Sequence, residues 1–183
     1  VFVADSGNHS IRKDSAAGVV STWAGSAGNP GLVNGSAAAA RFNNPNGLAF
    51  GSAGNLFVGD TNNDAVRRIA SDGTVSSFAG SLIRPAGLST DGADNVYVAQ
   101  VESHVISKIT PAAVVTLLAG AAGLNGSADG SASTARFYRP FGVAADGAGN
   151  VYIADTGNSL IRRIDAAAAP AAVSTLAGSV AIG

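Results

Sequence analysis

The chain has 183 residues, 46 % of them hydrophobic and 13 % charged, with a formal net charge of −1. That content supports a packed core and excludes disorder, while 11 basic against 12 acidic residues exclude a nucleic-acid partner held by bulk electrostatics. No apolar run reaches the ~20 residues needed to cross a bilayer, and the absence of cysteine removes disulfides and thiolate chemistry.

In chain order, one motif recurs as VFVADSGNH (1–9), LFVGDTNND (56–64), VYVAQVESH (96–104) and VYIADTGNS (151–159). Val1 falls inside the first of these predicted strands, with neither an initiator methionine nor a signal peptide before it. The expectation is a processed chain, a fragment, or part of something longer. After each motif comes a basic segment: IRK (11–13), VRR (66–68), ISK (106–108) and IRR (161–163). Each copy closes on WAG (23–25), FAG (78–80), LAG (118–120) or LAG (176–178). Three copies are preceded by a proline-led strand, PNGLAF (45–50), PAGLST (85–90) or PFGVAA (140–145). Between that strand and the motif lie GSAGN, DGADN and DGAGN, residues that accept the positive φ of a tight hairpin. Each full copy therefore predicts four short antiparallel strands in a meander.

The motif strand is apolar on both faces. Val1 and Val3, Leu56 and Val58, Val96 and Val98, and Val151 and Ile153 line one side. Phe2 and Ala4, Phe57 and Gly59, Tyr97 and Ala99, and Tyr152 and Ala154 line the other. A sheet with one wet face would alternate apolar with polar. A sheet buried on both faces needs a neighbour on each, which stacked four-stranded blades provide, and this is the pattern of a β-propeller. The expected architecture is thus all-β, one domain over 1–183, with blade repeats at approximately 1–25, 43–80, 84–120 and 138–178. The tail SVAIG (179–183) matches the first strand of a blade. It would close a four-bladed ring, or the four repeats would belong to a longer array.

The spacing is uneven. Asp5 to Asp60 is 55 residues, Asp60 to Gln100 is 40, and Gln100 to Asp155 is 55. The long intervals carry the related segments GLVNGSAAAARFNNP (31–45) and GSADGSASTARFYRP (126–140). This alternation suggests duplication of a two-blade unit.

These elements together, PxG-[LV]-A…GN-[VL]-[YF]-[VI]-A-D-[ST]-x-N…[IV]-R-[RK]…LAG, resemble the NHL repeat over nearly the whole chain, and the long links resemble those of bacterial NHL proteins. The resemblance implies a propeller, often six-bladed, and so a longer parent or closure by a second chain. Some NHL propellers bind RNA through a broad basic surface, and related propeller lyases use His-rich metal sites; this chain, with 11 basic against 12 acidic residues and two histidines, matches neither pattern. Gln100, Val101 and Glu102 replace Asp-Thr-Gly in the third copy, which breaks any ring of equivalent aspartates.

Several residues invite chemistry. Asp5, Asp60 and Asp155, with Asn8, Asn63 and Asn158, either face a ligand or bond to turn backbone. Arg41, Arg84, Arg136 and Arg139, with Asn46, Tyr138 and Phe141, could ring a channel mouth and hold an anionic or glycan ligand through guanidinium bonds and stacking. The plainer alternative has each arginine pairing with a neighbouring blade's aspartate, its stem packed on Phe42 or Phe137. Tyr138 and Arg139 are the least repeat-like of the set. The third-strand cations Arg12, Lys13, Arg67, Arg68, Lys108, Arg162 and Arg163 lack interleaved aromatics for base stacking and read as a solvated strand. His9 and His104 share one repeat position and read as polar turn residues, because zinc catalysis takes three protein ligands. DGADN (91–95) reads as a hairpin turn, and no serine sits in a nucleophile elbow. No cofactor and no metal are expected.

The resulting expectation is a non-catalytic binding or scaffold module for a protein or a glycan in an exported bacterial protein, extracellular, periplasmic or on the cell surface. Self-association to complete a ring or fibre is a further option. The alternatives are a propeller hydrolase or lyase with its site at the channel mouth, and a structural module of a surface fibre.

Overall fold

A computed structural model describes residues 1–165 and 168–180. The chain is all-β, a β-propeller of NHL-type antiparallel blades, and it falls into two compact units, 1–86 and 87–183.

In the first unit, β1 (Phe2–Asp5), β2 (Ser10–Asp14) and β3 (Val20–Gly25) form a three-stranded sheet in the order β1-β2-β3. The second blade contains β4 (Gly35–Ser36), β5 (Pro45–Phe50), β6 (Leu56–Asp60), β7 (Ala65–Ile69) and β8 (Thr74–Ala79) in the order β4-β8-β7-β6-β5. The long link thus does two jobs. Its Gly35–Ser36 pair zips onto the outer edge of β8, and its proline end leads into the inner strand β5.

β9 (Pro85–Thr90) straddles the division and pairs with β10 (Val96–Gln100), followed by β11 (Val105–Ile109) and β12 (Val115–Gly120). The last blade repeats the plan of the second. Its strands β13 (Gly130–Ser131), β14 (Pro140–Ala145), β15 (Val151–Asp155), β16 (Leu160–Asp165) and β17 (Ala172–Gly178) run β13-β17-β16-β15-β14.

Packing follows the two-sided apolar pattern. In the first unit Ile11 and Ala24 meet Leu56, Val58, Ile69 and Val75 around Phe42, all essentially without solvent exposure. In the second, Tyr97, Ala99, Ile106 and Ala119 meet Val151, Ile153 and Ile164 around Phe137. The two link phenylalanines are therefore wedges between blades, each contributing on the order of 1.5–3 kcal/mol by burial. Gly25, at φ 92°, is required here, because a Cβ would lie 3.1 Å from the Phe42 ring and 2.9 Å from the His9 carbonyl.

Each motif strand ends in a turn that closes on a left-handed residue: His9, Asp64 and Ser159 after the single turns Ser6–Asn8, Thr61–Asn63 and Thr156–Asn158, and His104 after the third motif strand. The predicted hairpins form as expected. In DGADN the Asp91 carboxylate accepts from the Ala93 and Asn95 N–H groups, the Asn95 amide and the Tyr97 hydroxyl. Of the tail 179–183, Ser179 and Val180 follow β17 outside any strand. The last three residues, on which the expected closing strand depends, lie outside the described residues.

Candidate functional site

The expected solvated strand of cations is corrected at two positions. Arg67 and Arg162 are fully buried, whereas Arg68 is exposed and Lys108 and Arg163 are half-buried. Each buried guanidinium locks a long link to its own blade. Arg67 donates to the Asp60 carboxylate (2.9 Å), the Arg41 and Val33 carbonyls (3.0 and 2.8 Å) and Asn34 Oδ1 (2.7 Å). Arg162 repeats this with Asp155 (2.9 Å), the Arg136 and Ala128 carbonyls (2.9 and 2.8 Å) and Asp129 Oδ1 (2.7 Å). The guanidinium carbons lie 5.3 Å over the Phe42 ring and 5.2 Å over the Phe137 ring. A buried charge persists only when it is paired and hydrogen-bonded; the aspartates and link acceptors take the Nη donors of each guanidinium, while each Nε–H is buried without a partner among the described residues. The short-link blade carries neither charge. Gln100 and Ser107 occupy the two positions and share a 2.7 Å hydrogen bond.

Asp60 and Asp155 complete the lock from the carboxylate side. Asp60 also accepts from the Asn43 N–H and the Asn63 amide, and Asp155 from the Tyr138 N–H and the Asn158 amide. Both carboxylates are fully buried. Burial pushes the Asp60 carboxyl up from its ordinary value, against the opposing pull of its bonds to Asn43, Asn63 and Arg67. Arg41 and Arg136 do not reach an aspartate of a neighbouring blade. Arg41 donates to the Ala38, Ala39 and Ala40 carbonyls, and Arg136 to those of Ser133 and Ala135, so each closes the turn of its own link. Asn46 donates to the Asn44 carbonyl and to Thr61 Oγ1.

The residue before each blade proline is left-handed: Asn44 at φ 55°, Arg84 at 49° and Arg139 at 50°. Its N–H is taken by the left-handed side chain that ends the preceding motif turn. Asn44 donates to His9 Nδ1 (3.0 Å), Arg84 to Asp64 Oδ1 (2.9 Å) and Arg139 to His104 Nδ1 (3.2 Å). The two histidines therefore act as backbone acceptors in turns. Among the described residues, no three of His, Cys, Asp and Glu lie where they could hold a metal ion.

What the geometry does gather is an exposed polar and aromatic platform in the second unit. Tyr138 is 37 % exposed, and its ring meets His104 edge-on at 5.5 Å. The adjacent Arg139 pairs with Glu102 at 3.1 Å, both side chains about half exposed. Under the tyrosine lies Gly157, where a Cβ would fall 2.6 Å from the ring and 2.5 Å from the Tyr138 carbonyl, so only glycine fits. The Gly157 N–H donates to that carbonyl (2.8 Å). Of the residues expected at a channel mouth, this brings together Tyr138 and Arg139. Phe141 is also exposed, on β14, and Arg84 is exposed in the first unit. Glu102 and Gly157 were not anticipated as site residues. The signal for Glu102 was the break in the third motif, where Val-Glu-Ser stands in place of Thr-Gly-Asn.

The sequence profile of the teneurin NHL domain matches residues 18–182, and the chain belongs to that family. No curated protein matches it. Among solved structures, a protein of unknown function from Bacteroides thetaiotaomicron aligns with TM-score 0.71 and 21 % identity over 95 % of this chain and 43 % of its own. An auxiliary nutrient binding protein from the same organism aligns with TM-score 0.71 and 15 % identity over 96 % and 43 %. Virginiamycin B lyase from Staphylococcus aureus aligns with TM-score 0.58 and 13 % identity over 96 % and 65 %. The chain thus spans less than half the length of the first two, and at these identities the likeness is one of fold. No helix among the described residues is long and apolar enough to cross a membrane.

Proposed function

We propose that this member of the teneurin NHL domain family is a binding module, and that the Tyr138–Arg139 platform is its contact for a glycan carrying carboxylates. One observation carries the reading: an exposed tyrosine ring, seated on a glycine and braced by His104, stands beside an exposed guanidinium. A fixed aromatic ring offers a flat apolar face for stacking on a sugar. A guanidinium offers parallel donors to a carboxylate. Glu102 holds Arg139 at 3.1 Å and would yield it to an incoming carboxylate. Tyrosine and arginine also anchor protein interfaces, so a protein partner is the second ligand class for the same platform. The lyase among the structural neighbours shares the fold at 13 % identity and lends no residue-level match.

The test is an array of neutral and uronate-containing glycans probed with the labelled chain and with its Tyr138→Ala and Arg139→Ala forms. The chain should be retained on uronate glycans, at least tenfold more weakly after either substitution. Equal retention by all three proteins, or retention of none, would refute the glycan reading. The same reading places the chain in an exported bacterial protein. It is supported by the cysteine-free sequence and by the fold shared with Bacteroides nutrient-binding proteins. Recovery of the native protein in the cytosolic fraction alone would contradict it.

A further inference from the structure

In two of the three blades that possess an inner strand, a long link caps the outer one. Gly35–Ser36 pairs with β8, and Gly130–Ser131 with β17. The link bonds the edge further along as well. The Thr175 N–H and hydroxyl donate to Asp129, and Ser77 Oγ donates to Asn34. The third blade is entered through residues 80–84 alone, and its outer strand β12 stands at the edge of its sheet. That edge lies well inside the chain, between β11 and the link to the last blade. It differs from the capped strands at one telling position. Leu117 lies opposite Ser107, at the register where Ser77 lies opposite Arg67 and Thr175 opposite Arg162. A polar latch residue has become an apolar one. Leu117 is 59 % exposed and Val115 40 %. No acidic or basic residue occurs from 109 to 128, so the edge lacks the charges that keep one strand edge from joining another.

The capped blades also fix which backbone groups of β12 point outward. In an antiparallel ladder, alternate residues turn their N–H and C=O to the same side. The Thr175 N–H turns outward to Asp129, and the Ala171 carbonyl turns outward to the Ala132 N–H. The residues of that parity in β12 are Val115 and Leu117, at the registers of Val173 and Thr175. Thr116, between them, is paired inward with Lys108, whose carbonyl accepts its hydroxyl at 3.3 Å.

We infer that β12 is the docking edge for a second copy of this chain, the two strands running antiparallel about a two-fold axis at Thr116. Val115 of each copy then exchanges both backbone hydrogen bonds with Leu117 of the other, and Thr116 faces Thr116 at the close, non-hydrogen-bonded position. Two valines and two leucines meet on one face of the joined sheet and two threonines on the other, cross-strand pairs of the kind that stabilise sheets. Such an isologous contact closes after two copies. The occupant is named on two grounds. Strand addition at this register is how the two capped blades already finish, and Val-Thr-Leu is its own complement about the central threonine. This inference is independent of the Tyr138–Arg139 platform.

The cysteine-free sequence permits a register-specific test. Thr116→Cys sets two thiols across the axis with Cα atoms about 4.5 Å apart, within disulfide reach. Val114→Cys sets them four residues out of register, on the order of 14 Å apart. Diamide should convert the first variant to a covalent dimer and leave the second uncross-linked. Sedimentation equilibrium of the unmodified chain at micromolar concentration should give twice its 17.8 kDa. Leu117→Ser, which installs the residue of the second blade, and Leu117→Lys should each raise the dissociation constant by about tenfold or more. A monomer at every concentration, dimerisation indifferent to both Leu117 substitutions, or equal cross-linking of the two cysteine variants would overturn the inference.

Discussion

Replacing Arg67 by serine isolates the lock between link and blade. Four hydrogen bonds of 2.7–3.0 Å leave with the guanidinium, together with its contact over Phe42. Asp60 stays buried with the Asn43 N–H and the Asn63 amide, and the Arg41 and Val33 carbonyls and Asn34 Oδ1 each lose the guanidinium and keep one weaker donor, from Val33, Arg41 and Ser77 respectively. Breaking one side of a buried ion pair costs about 3–5 kcal/mol, and R67S should lie in that range. Adding Asp60→Gln recreates the neutral pair of the third blade and removes the stranded charge. The double variant should recover about 1–2 kcal/mol of that loss, the bonds from the guanidinium to the link staying lost. The pH dependence carries its own sign. The Asp60 carboxyl already sits above its ordinary 3.8 because of burial, and losing Arg67 raises it further. A carboxyl raised in the folded state binds its proton more tightly there, so stability is lost as pH rises from 3.8 through the folded value. The R67S deficit should accordingly shrink on going from pH 7 to pH 4.5. Urea unfolding, followed by far-ultraviolet circular dichroism and by the fluorescence of the single tryptophan, Trp23, reads all of this. A cost below about 1 kcal/mol, a double variant as unstable as the sum of its singles, or a deficit indifferent to pH would each refute the lock.

Gly157→Ala should destabilise the chain by about 1–3 kcal/mol through overpacking and displace the Tyr138 ring, which thermal melts and the Tyr138 ring proton shifts would register; a wild-type melting temperature with unmoved shifts would contradict the packing described. Tyr97 is pushed up to about 12 by burial and then by its bond to the Asp91 carboxylate. An absorbance titration should therefore show a tyrosine ionising near pH 12, and Asp91→Asn should bring it down. Because the shift is upward, the stability it reflects is present below pH 10 and fades as pH climbs towards 12. Asp146 is held below the ordinary carboxylate value, chiefly by the Asn150 amide. Its contribution is present above pH 3.8 and is lost as pH falls through the lower folded value. Asp146→Asn should therefore flatten the dependence of the melting temperature on pH between 2 and 4, and an unchanged slope would count against that hydrogen-bonded turn.

The blades were legible because the motif strands show apolar residues at both parities and the Gly/Asn/Asp turns between them are unambiguous. Both facts are local. The buried arginines were not legible for the same reason. Where both faces of a strand are apolar, alternation cannot say which residue of Arg67-Arg68 points inward. A comparison within the sequence did contain the answer: Asp and Arg seven apart in the long-link blades, Gln100 and Ser107 seven apart in the short-link blade. Charge at those positions tracks the link, not solvent. The strands β4 and β13 escaped notice because two residues, Gly-Ser in each case, carry no periodicity, and their pairing is fixed by the distant guanidinium and by Phe42 or Phe137. The platform was half visible. Tyr138 and Arg139 departed from the repeat, but Glu102 lies 37 residues before Arg139 in the chain and joins it only through the fold.

The most direct measurement of the account's central claim, that the exposed Tyr138–Arg139 platform is where this module takes its ligand, is a calorimetric titration of the chain with an oligo-uronate beside the same titration of Tyr138→Ala. The account predicts saturable, salt-sensitive binding to the first protein and at least a tenfold loss in the second, with its thermal melt unchanged. Binding of equal strength by both proteins, or heats no greater than dilution for either, would contradict it.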